Sequence, residues 1–266
     1  MGDYALDELL GEGAVGLVFR ATRVPDGEVV ALKVLRKELS GDESFRRRFA
    51  HEARAAQEVE SSHLVPILEG GEVDGRHFLA VRYVEGRTLE DRIEGEGPLP
   101  SKDIARVAAH VGSGLDALHE AGLVHRDVKP SNVLFDAEGR AMLTDFGLAK
   151  GPAYTVLTRT GQIVGTLDYL APELIRGQPA TPSTDIYALG CVVYECVCGQ
   201  PPFGGKSMFE MSTAILEENP PDPCANRPDL PSALGWAVLQ ALAKEPEKRP
   251  PTATAYANMV RLARKS

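Results

Sequence analysis

The first third of the chain alternates short apolar runs with turn-forming residues, a pattern typical of β-strands. Five runs rich in Val, Leu and Phe cover residues 4–10, 16–23, 27–35, 65–73 and 76–84. Turn formers separate these runs, as in the Pro-Asp-Gly sequence at 25–27. Residues 42–60 differ, because apolar side chains such as Phe45, Phe49 and Ala53 recur there every four residues. The pattern predicts five strands interrupted by one helix.

The rest of the chain has the apolar period of α-helices. One helix is predicted over 101–121, with Ser101 as its cap and Gly122 at its end. Further helices are predicted over 183–199, 206–218, 231–244 and 252–264, punctuated by prolines. The change from strands to helices falls near Glu85. We therefore expect an α+β domain of two lobes, a sheet lobe over 1–84 and a helical lobe over 85–266, joined by a short hinge.

Three glycines stand between the first two predicted strands, in "LGEGAVGLVF" at 10–19. Glycines let backbone N–H groups approach phosphate oxygens closely. A tight turn would need only one or two of them. In dinucleotide-binding units a helix follows such glycines, whereas here a strand follows. The loop is therefore predicted to be a hairpin tip that covers phosphates.

A lysine inside an apolar strand also indicates an anion site. Lys33 lies in "VVALKVL", and an unpaired buried ammonium is costly. The alternative is that Lys33 needs no anion, because it lies at the edge of the sheet and its ammonium reaches solvent. On the predicted helix, Glu52 and Glu58 are both candidate partners, and their spacing does not decide between them.

Polar groups accumulate beside two short apolar strands. "LVHRDVKPSNVLF" at 123–135 contains Asp127, Lys129 and Asn132, and "LTDFGLAK" at 143–150 contains Asp145. The intervening "DAEGR" predicts a hairpin that brings Asn132 and Asp145 together. Amide and carboxylate oxygens suit Mg²⁺, which takes few protein ligands. Asp127 would then lie beside this metal and phosphate site, where it can orient a hydroxyl nucleophile.

Composition narrows the class of protein. Lys and Arg number 29 and Asp and Glu 38, so the net charge is −9. This charge argues against nucleic acid as the main partner, because phosphate backbones require a basic surface. The four cysteines form no CxxC pair, which favours reduced thiols in a cytoplasmic protein. An acidic N-terminus and the lack of an apolar run of about 18 residues predict neither a signal peptide nor a membrane span.

The motifs "GEGAVGLV", "VALKVL", "HRDVKPSN", "DFG", "GTLDYLAPE" and "DIYALG" occur in this order. In order and spacing they resemble the signature set of eukaryotic-like (Hanks-type) serine/threonine protein kinases. The resemblance covers residues 4–264. The segments "YVEGRTLEDRI" and "ALAKEPEKRP" are most similar to bacterial members, which include cytosolic domains of membrane-anchored receptor kinases.

The resemblance implies a bilobal kinase fold that binds ATP with Mg²⁺, or Mn²⁺, as the metal cofactor. Lys33 would hold the α- and β-phosphates, and the family register selects Glu52 over Glu58 as its partner. The adenine would lie against apolar side chains and the hinge backbone. The ATP-binding residues expected on this basis are Leu10, Gly11, Glu12, Gly13, Ala14, Val15, Gly16, Val18, Ala31, Lys33, Glu52, Val81, Arg82, Val84 and Leu134.

The resemblance also implies the catalytic roles. Asp127 would orient the substrate hydroxyl and accept its proton, and Lys129 would steady the γ-phosphoryl group. Asn132 and Asp145 would bind the metal. Thr166 would position the substrate through Asp127 and Lys129. Lys129 two residues after the catalytic aspartate is typical of kinases that act on Ser and Thr in protein substrates.

Regulation is implied at the segment between the DFG and APE motifs. Thr158 and Thr160 are expected autophosphorylation sites. One copy of a homodimer would phosphorylate them on the other copy. Arg126, Lys150 and Arg48 would bind the added phosphate.

Other residues that match the family have structural roles. Glu173 and Arg249 would form a buried ion pair, and Asp185 would cap the catalytic-loop backbone. His125 would be a packing residue.

Two other functions remain open at this point. A pseudokinase would serve as a nucleotide-responsive scaffold, but it typically lacks Lys33, Asp127 or Asp145, and all three are present. A small-molecule phosphotransferase of related fold typically lacks the "GTLDYLAPE" segment.

Overall fold

The computed structural model describes residues 1–13, 15–37, 43–145, 167–225 and 227–265, without the side chains of residues 43–45 and 48. The predicted strands are confirmed as an antiparallel five-stranded sheet in the order β1-β2-β3-β5-β4. Its members are β1 (Tyr4–Glu12), β2 (Gly16–Arg23), β3 (Val29–Leu35), β4 (Ile67–Val73) and β5 (Arg76–Arg82).

The alternation along β3 determines which residues face the core. Val30 and Leu32 are fully buried and pack in one cluster with Phe78 of β5. Because successive side chains of a strand point to opposite faces, Ala31 and Lys33 lie on the other face of the sheet. That face forms one wall of the cleft described below.

The predicted helix between β3 and β4 is present as α1 (Glu43–Gln57). Phe49, Ala53 and Ala56 are buried and join the main hydrophobic core, as their spacing predicted. Glu52 is partly buried, whereas Glu58 is exposed and lies beyond the last helical residue. The helix therefore turns Glu52, not Glu58, toward the interior.

The chain after β5 is mainly helical. Its helices are α2 (Leu89–Glu96), α3 (Ser101–Glu120), α4 (Pro172–Ile175), α5 (Pro182–Cys198), α6 (Met208–Glu217), α7 (Ser232–Gln240) and α8 (Ala253–Ala263). Helix α5 is buried from Thr184 to Val197, because apolar residues predominate on all its sides. None of the helices in the described part of the chain is both long and apolar enough to cross a bilayer.

The helices differ from the sequence prediction at the start of α3 and in two short helices, α2 and α4, that were not predicted. The cap of α3 is Pro100, and Ser101 is its first helical residue without a capping hydrogen bond. Helix α2 was not predicted, although its start has a recognisable signal. Thr88 accepts from the Asp91 backbone N–H and Asp91 accepts from the Thr88 N–H, which is a capping box.

A short hairpin joins the two loops that carry the polar groups. As predicted, β6 (Val133–Phe135) pairs antiparallel with β7 (Ala141–Leu143). Asn132 directly precedes β6, and Asp145 follows β7 by two residues. The linker from β5 crosses this hairpin at Gly86, where a Cβ atom would lie 2.0 Å from the Phe135 carbonyl oxygen. Only glycine permits this approach, so Gly86 fixes the linker against the hairpin.

Candidate active site

A cleft of about 860 Å³ lies between the sheet and the β6–β7 hairpin. This volume falls within the usual range for small-molecule sites. Thirteen of the predicted ATP-binding residues line it. They are Leu10, Gly11, Glu12, Gly13, Val15, Gly16, Val18, Ala31, Lys33, Val81, Arg82, Val84 and Leu134. The predicted catalytic and metal residues also line it, namely Asp127, Lys129, Asn132 and Asp145.

Several other predicted site residues are not assigned to the cleft lining. Ala14, Lys150, Thr158, Thr160 and Thr166, together with the side chain of Arg48, lie outside the described residues. Glu52 is described but is not part of the cleft lining.

The glycine loop is the tip of the β1–β2 hairpin, as predicted. Strand pairing continues to Glu12 and Leu17, and the Gly13 N–H donates to the Gly16 carbonyl at 2.9 Å. A Cβ atom at Gly16 would lie 2.1 Å from the Val34 carbonyl oxygen. The third glycine therefore has a packing reason of its own, since it lets the loop lie directly on β3.

Asp127 is hydrogen-bonded by Asn132 and lies within ion-pair distance of Lys129. The Asn132 Nδ2 donates to the Asp127 carbonyl at 2.7 Å and to its Oδ2 at 3.1 Å. Lys129 Nζ lies 3.5 Å from the same Oδ2. These contacts engage the amide nitrogen of Asn132, so its amide oxygen is the atom left to serve as a ligand.

The two candidate metal residues are held together by the hairpin. The Thr144 N–H donates to the Asn132 carbonyl at 2.9 Å, and Asp145 follows with a left-handed backbone at φ +61°. No group of three or more His, Cys, Asp and Glu side chains in the described ranges is arranged to hold a metal. One amide oxygen and one carboxylate beside an open cleft fit Mg²⁺, which keeps sites for water and phosphate.

Asp185 of α5 fixes the loop that carries the catalytic aspartate. Its carboxylate accepts from the His125 and Arg126 backbone N–H groups at 2.8 Å each, which confirms the predicted cap. His119 Nε2 lies 2.9 Å from Asp185 Oδ2. His119 was not predicted as part of the site, because its partner Asp185 lies 66 residues further along the chain.

His125 connects the catalytic and metal-binding loops. The ring is fully buried, and its Nδ1 accepts from the Asp127 N–H at 3.2 Å. The proton is therefore on Nε2, which donates to the Thr144 carbonyl at 3.0 Å. Burial lowers the pKa of His125, so the ring stays neutral. His125 packs as predicted, and it also joins the backbones that carry Asp127 and Asp145.

The predicted ion pair between Lys33 and Glu52 is wrong for this conformation. Lys33 Nζ lies 2.8 Å from Asp145 Oδ1. Glu52 is held by Arg126, whose Nη1 lies 3.0 Å from Oε1 and 3.2 Å from Oε2. In this structure Lys33 therefore pairs with Asp145 and Arg126 with Glu52, partners that sequence spacing did not indicate.

A second predicted pair is confirmed. Arg249 binds Glu173 through two bonds of 2.8 Å, and both side chains are almost completely buried. Burial by itself raises the pKa of Glu173, but the hydrogen bonds and charge of Arg249 outweigh it and the pKa is lower than usual. The pair therefore joins α4, whose first two residues end the "GTLDYLAPE" segment, to the C-terminal part of the chain.

Residues beyond the prediction also line the cleft. They are Leu79, Gly86, Thr88, Glu90, Ser131 and Thr144, and Tyr83 of the expected hinge lines the cleft as well. Thr88 and Glu90 come from the start of α2, and the capping box noted above was the available signal for them.

Glu195 of α5 is a buried carboxylate that contacts Tyr169, a residue within the "GTLDYLAPE" segment. The Tyr169 hydroxyl donates to Glu195 Oε2 at 2.6 Å, and burial raises the pKa of Glu195 to about 7. The hydrogen bond from Tyr169 opposes this increase, while Glu90, Asp168 and Glu94 add to it. Glu195 therefore changes charge near neutral pH.

We expect this titration to be visible as a pH-dependent stability. Because the folded pKa exceeds the usual value of 4.5, stability from protonated Glu195 is present at low pH and lost as pH rises through about 7. Glu195→Gln keeps an acceptor for Tyr169 and cannot ionise. The Tm of the variant relative to wild type should increase by about 2–6 °C between pH 5 and pH 8 in thermal unfolding.

Glu138→Gln, at an exposed glutamate, is the matched control and should give the same Tm difference at both pH values. A Tm difference for Glu195→Gln that does not grow with pH would contradict the assignment.

The fold and the cleft together define the class of this protein. The model for the protein kinase domain family matches residues 4–259. The chain therefore belongs to the protein kinase domain family, and its motif order correctly predicted this family and its bilobal fold.

Individual relatives are mycobacterial kinases. The chain is 40% identical over 248 residues to the serine/threonine-protein kinase PknE of Mycobacterium bovis, covering 93% of this chain and 44% of the relative. It is 40% identical to PknH of Mycobacterium tuberculosis, of which it covers 40%. Thus the chain spans less than half the length of these relatives. The solved kinase domain of PknI from Mycobacterium tuberculosis matches with a TM-score of 0.80 at 29% identity, covering 99% of this chain and 96% of that one.

Proposed function

We propose that this domain transfers the γ-phosphoryl group of ATP to Ser and Thr hydroxyls of proteins. The observation that carries the proposal is the convergence of Lys33, Asp127, Lys129, Asn132 and Asp145 at the polar end of one cleft. The relatives named above are serine/threonine-protein kinases, which supports this substrate class.

Apolar side chains at the other end of the cleft suit the adenine. Val18 and Ala31 approach from the sheet and Leu134 from β6. The glycine loop offers backbone N–H groups to the phosphates, and Lys33 offers its ammonium. This arrangement directs the γ-phosphate toward Asp127.

Asp127 is the group that acts on the hydroxyl. Its carboxylate is fixed by Asn132 Nδ2 and faces Lys129, so it can orient the hydroxyl and accept its proton. Lys129 balances charge that develops on the transferred phosphoryl oxygens. These positioning and electrostatic effects supply most of the catalysis in phosphoryl transfer.

We propose Mg²⁺ as the metal, held by Asn132 and Asp145, with Mn²⁺ as a substitute. When bound, the metal neutralises phosphate charge and orients the phosphates. The residues fit this role, because one amide oxygen and one carboxylate leave several positions for water and phosphate oxygens.

We also propose autophosphorylation at Thr158 and Thr160, in trans between two copies of the chain. Arg126, Lys150 and Arg48 are the proposed phosphate-binding groups, and Thr166 is the proposed substrate-positioning group. Because ATP and reduced thiols belong to the cytoplasm, and the cysteines Cys191, Cys196, Cys198 and Cys224 are free, we propose that the domain acts on the cytoplasmic side.

The test is phosphate transfer by the purified protein. It is incubated with radiolabelled ATP and Mg²⁺, alone and with a generic basic protein, and the label is then assigned by phosphoamino-acid analysis. We expect labelled phosphoserine and phosphothreonine in both samples and no transfer in EDTA. Label on tyrosine alone, or nucleotide binding without transfer, would contradict the proposal.

A further inference from the structure

Two histidines that do not line the cleft bind the backbone of β7. The His110 Nδ1 accepts from the Ala141 N–H at 3.1 Å, and the His63 Nδ1 lies 3.1 Å from the Ala141 carbonyl oxygen. Because a carbonyl oxygen only accepts, the His63 Nδ1 carries the proton and donates it. The two rings are stacked, with centroids 4.2 Å apart and planes at 22°. Both backbone groups of the fully buried Ala141 are thus bound by side chains.

The next residue on the same edge of β7 is bound by backbone instead. The Leu143 N–H donates to the His63 carbonyl at 2.8 Å, and the Val65 N–H donates to the Leu143 carbonyl at 2.9 Å. These bonds form a parallel bridge between Leu64 and Leu143. Residues 62 and 63 are in a turn, so the chain turns away before it can pair with Ala141. The two imidazole rings therefore replace the next residue of a neighbouring strand.

This edge of β7 is connected to the two candidate metal residues. Asp145 follows Ala141 by four residues, and Asn132 directly precedes β6, which pairs with β7. A buried backbone group without a partner is costly. If either histidine contact were lost, β7 would have to shift to find another partner, and Asp145 would shift with it.

We propose that His63 and His110 are positioning residues, which hold β7 and thereby keep Asp145 beside Asn132 at the metal site. This inference rests on the proposed function and adds residues that act on its metal site from outside the cleft. Neither ring reaches the cleft lining, so the effect passes through the backbone of β7. Its consequence is tighter binding of Mg²⁺ together with ATP.

His110 can hold β7 only as a neutral ring. The lone pair of its Nδ1 is occupied by the β7 N–H, so a proton at Nδ1 would break this bond. The pKa of His110 is lowered to about 4, mainly by burial and then by the adjacent His63. Arg106 on α3 and Arg140 in the loop between β6 and β7 also lower it, whereas Asp136 in the same loop raises it.

The neutral ring gives this contact a definite pH dependence. Because the folded pKa lies below the usual 6.5, stability from neutral His110 is present above pH 6.5 and lost as the pH falls toward 4. His110→Asn places an amide oxygen near the position of Nδ1 and cannot be protonated. The Tm of wild type relative to this variant should fall by about 2–5 °C between pH 8 and pH 5. A Tm difference that is the same at both pH values would overturn the role of the neutral ring.

Mg²⁺-dependent nucleotide binding tests the positioning role without turnover. His110→Phe keeps a ring against His63 but loses the acceptor for the Ala141 N–H. Displacement of mant-ATP by ATP is measured across a Mg²⁺ titration and in EDTA. We expect His110→Phe to need about 3–10-fold more Mg²⁺ than wild type for the half-maximal effect, because part of the cost of the lost hydrogen bond opposes metal binding. In EDTA the ATP affinity should be unchanged, because the sheet side of the cleft is intact.

Further variants show whether the hydrogen bond is responsible. His110→Asn keeps the acceptor and should need the wild-type Mg²⁺ concentration. His63→Leu loses the donor for the Ala141 carbonyl and should need more Mg²⁺, as His110→Phe does. His51→Phe, at an exposed histidine, is the matched control and should not differ from wild type. If circular dichroism shows that His110→Phe does not fold, His63→Leu takes its place.

Two results of the Mg²⁺ titration would overturn the inference. One is a folded His110→Phe or His63→Leu protein with the Mg²⁺ dependence of wild type. The other is a His110→Asn protein that needs as much additional Mg²⁺ as His110→Phe. Either result would leave the proposed function standing, since that function fails only if wild type transfers no label to Ser or Thr.

Discussion

Replacing Asp127 by asparagine is expected to lower kcat by about 10²–10⁴-fold, the usual contribution of a positioned general base. Asparagine keeps the size of the side chain and can still contact Asn132 and Lys129, so the loop should keep its shape. It cannot accept the proton of the substrate hydroxyl. The rate of label transfer to a generic basic protein measures the effect.

The same variant should bind ATP with nearly unchanged affinity. Asp127 lines the polar end of the cleft, but its proposed task concerns the hydroxyl and not the nucleotide. The control is Asp229→Asn, which removes an exposed carboxylate paired with Arg227 and should leave kcat unchanged. If Asp127→Asn transferred label at the wild-type rate, Asp127 would not be the group that acts on the hydroxyl.

Replacing Asp145 by asparagine should lower kcat/KM by roughly 10³-fold, because a metal ion stabilises transition-state charge by several kcal/mol. The carboxylate is one of two protein groups proposed to hold Mg²⁺. The neutral amide is a weaker ligand, so activity should require higher Mg²⁺ concentrations. A Mg²⁺ titration of the initial rate measures both effects.

A second measurement distinguishes this role from damage to the fold. Without metal, Asp145→Asn should bind ATP at least as tightly as wild type, because it removes a negative charge near the phosphates and frees Lys33. Displacement of mant-ATP in EDTA measures this affinity. Weaker binding in EDTA, or a Mg²⁺ titration that does not shift, would contradict the metal assignment.

Most of the fold could be predicted because its elements have local signals. The alternation along β3 and the period along α1 and α3 reflect which side is buried, and burial follows directly from side-chain polarity. Helix α2 was missed because it has only eight residues, and its capping box gives a weaker signal than a long apolar period.

Much of the candidate site could also be predicted, because loops that hold phosphate and metal require particular residue types. The glycines at 11–16, Asp127, Asn132 and Asp145 are such residues, and all described members line one cleft. His119 was missed because nothing in its local sequence shows that it contacts Asp185, which is 66 residues away.

The sequence by itself determined which chemical groups this chain has and in which order strands and helices follow one another along it. These are local properties of residue type and spacing. Only the tertiary structure decided which charges meet. Glu52 lies 74 residues from Arg126, and Lys33 lies 112 residues from Asp145. The strength of an ion pair depends on distance and burial, so the partner of each charge is set by how distant elements pack together and not by its neighbours in the chain.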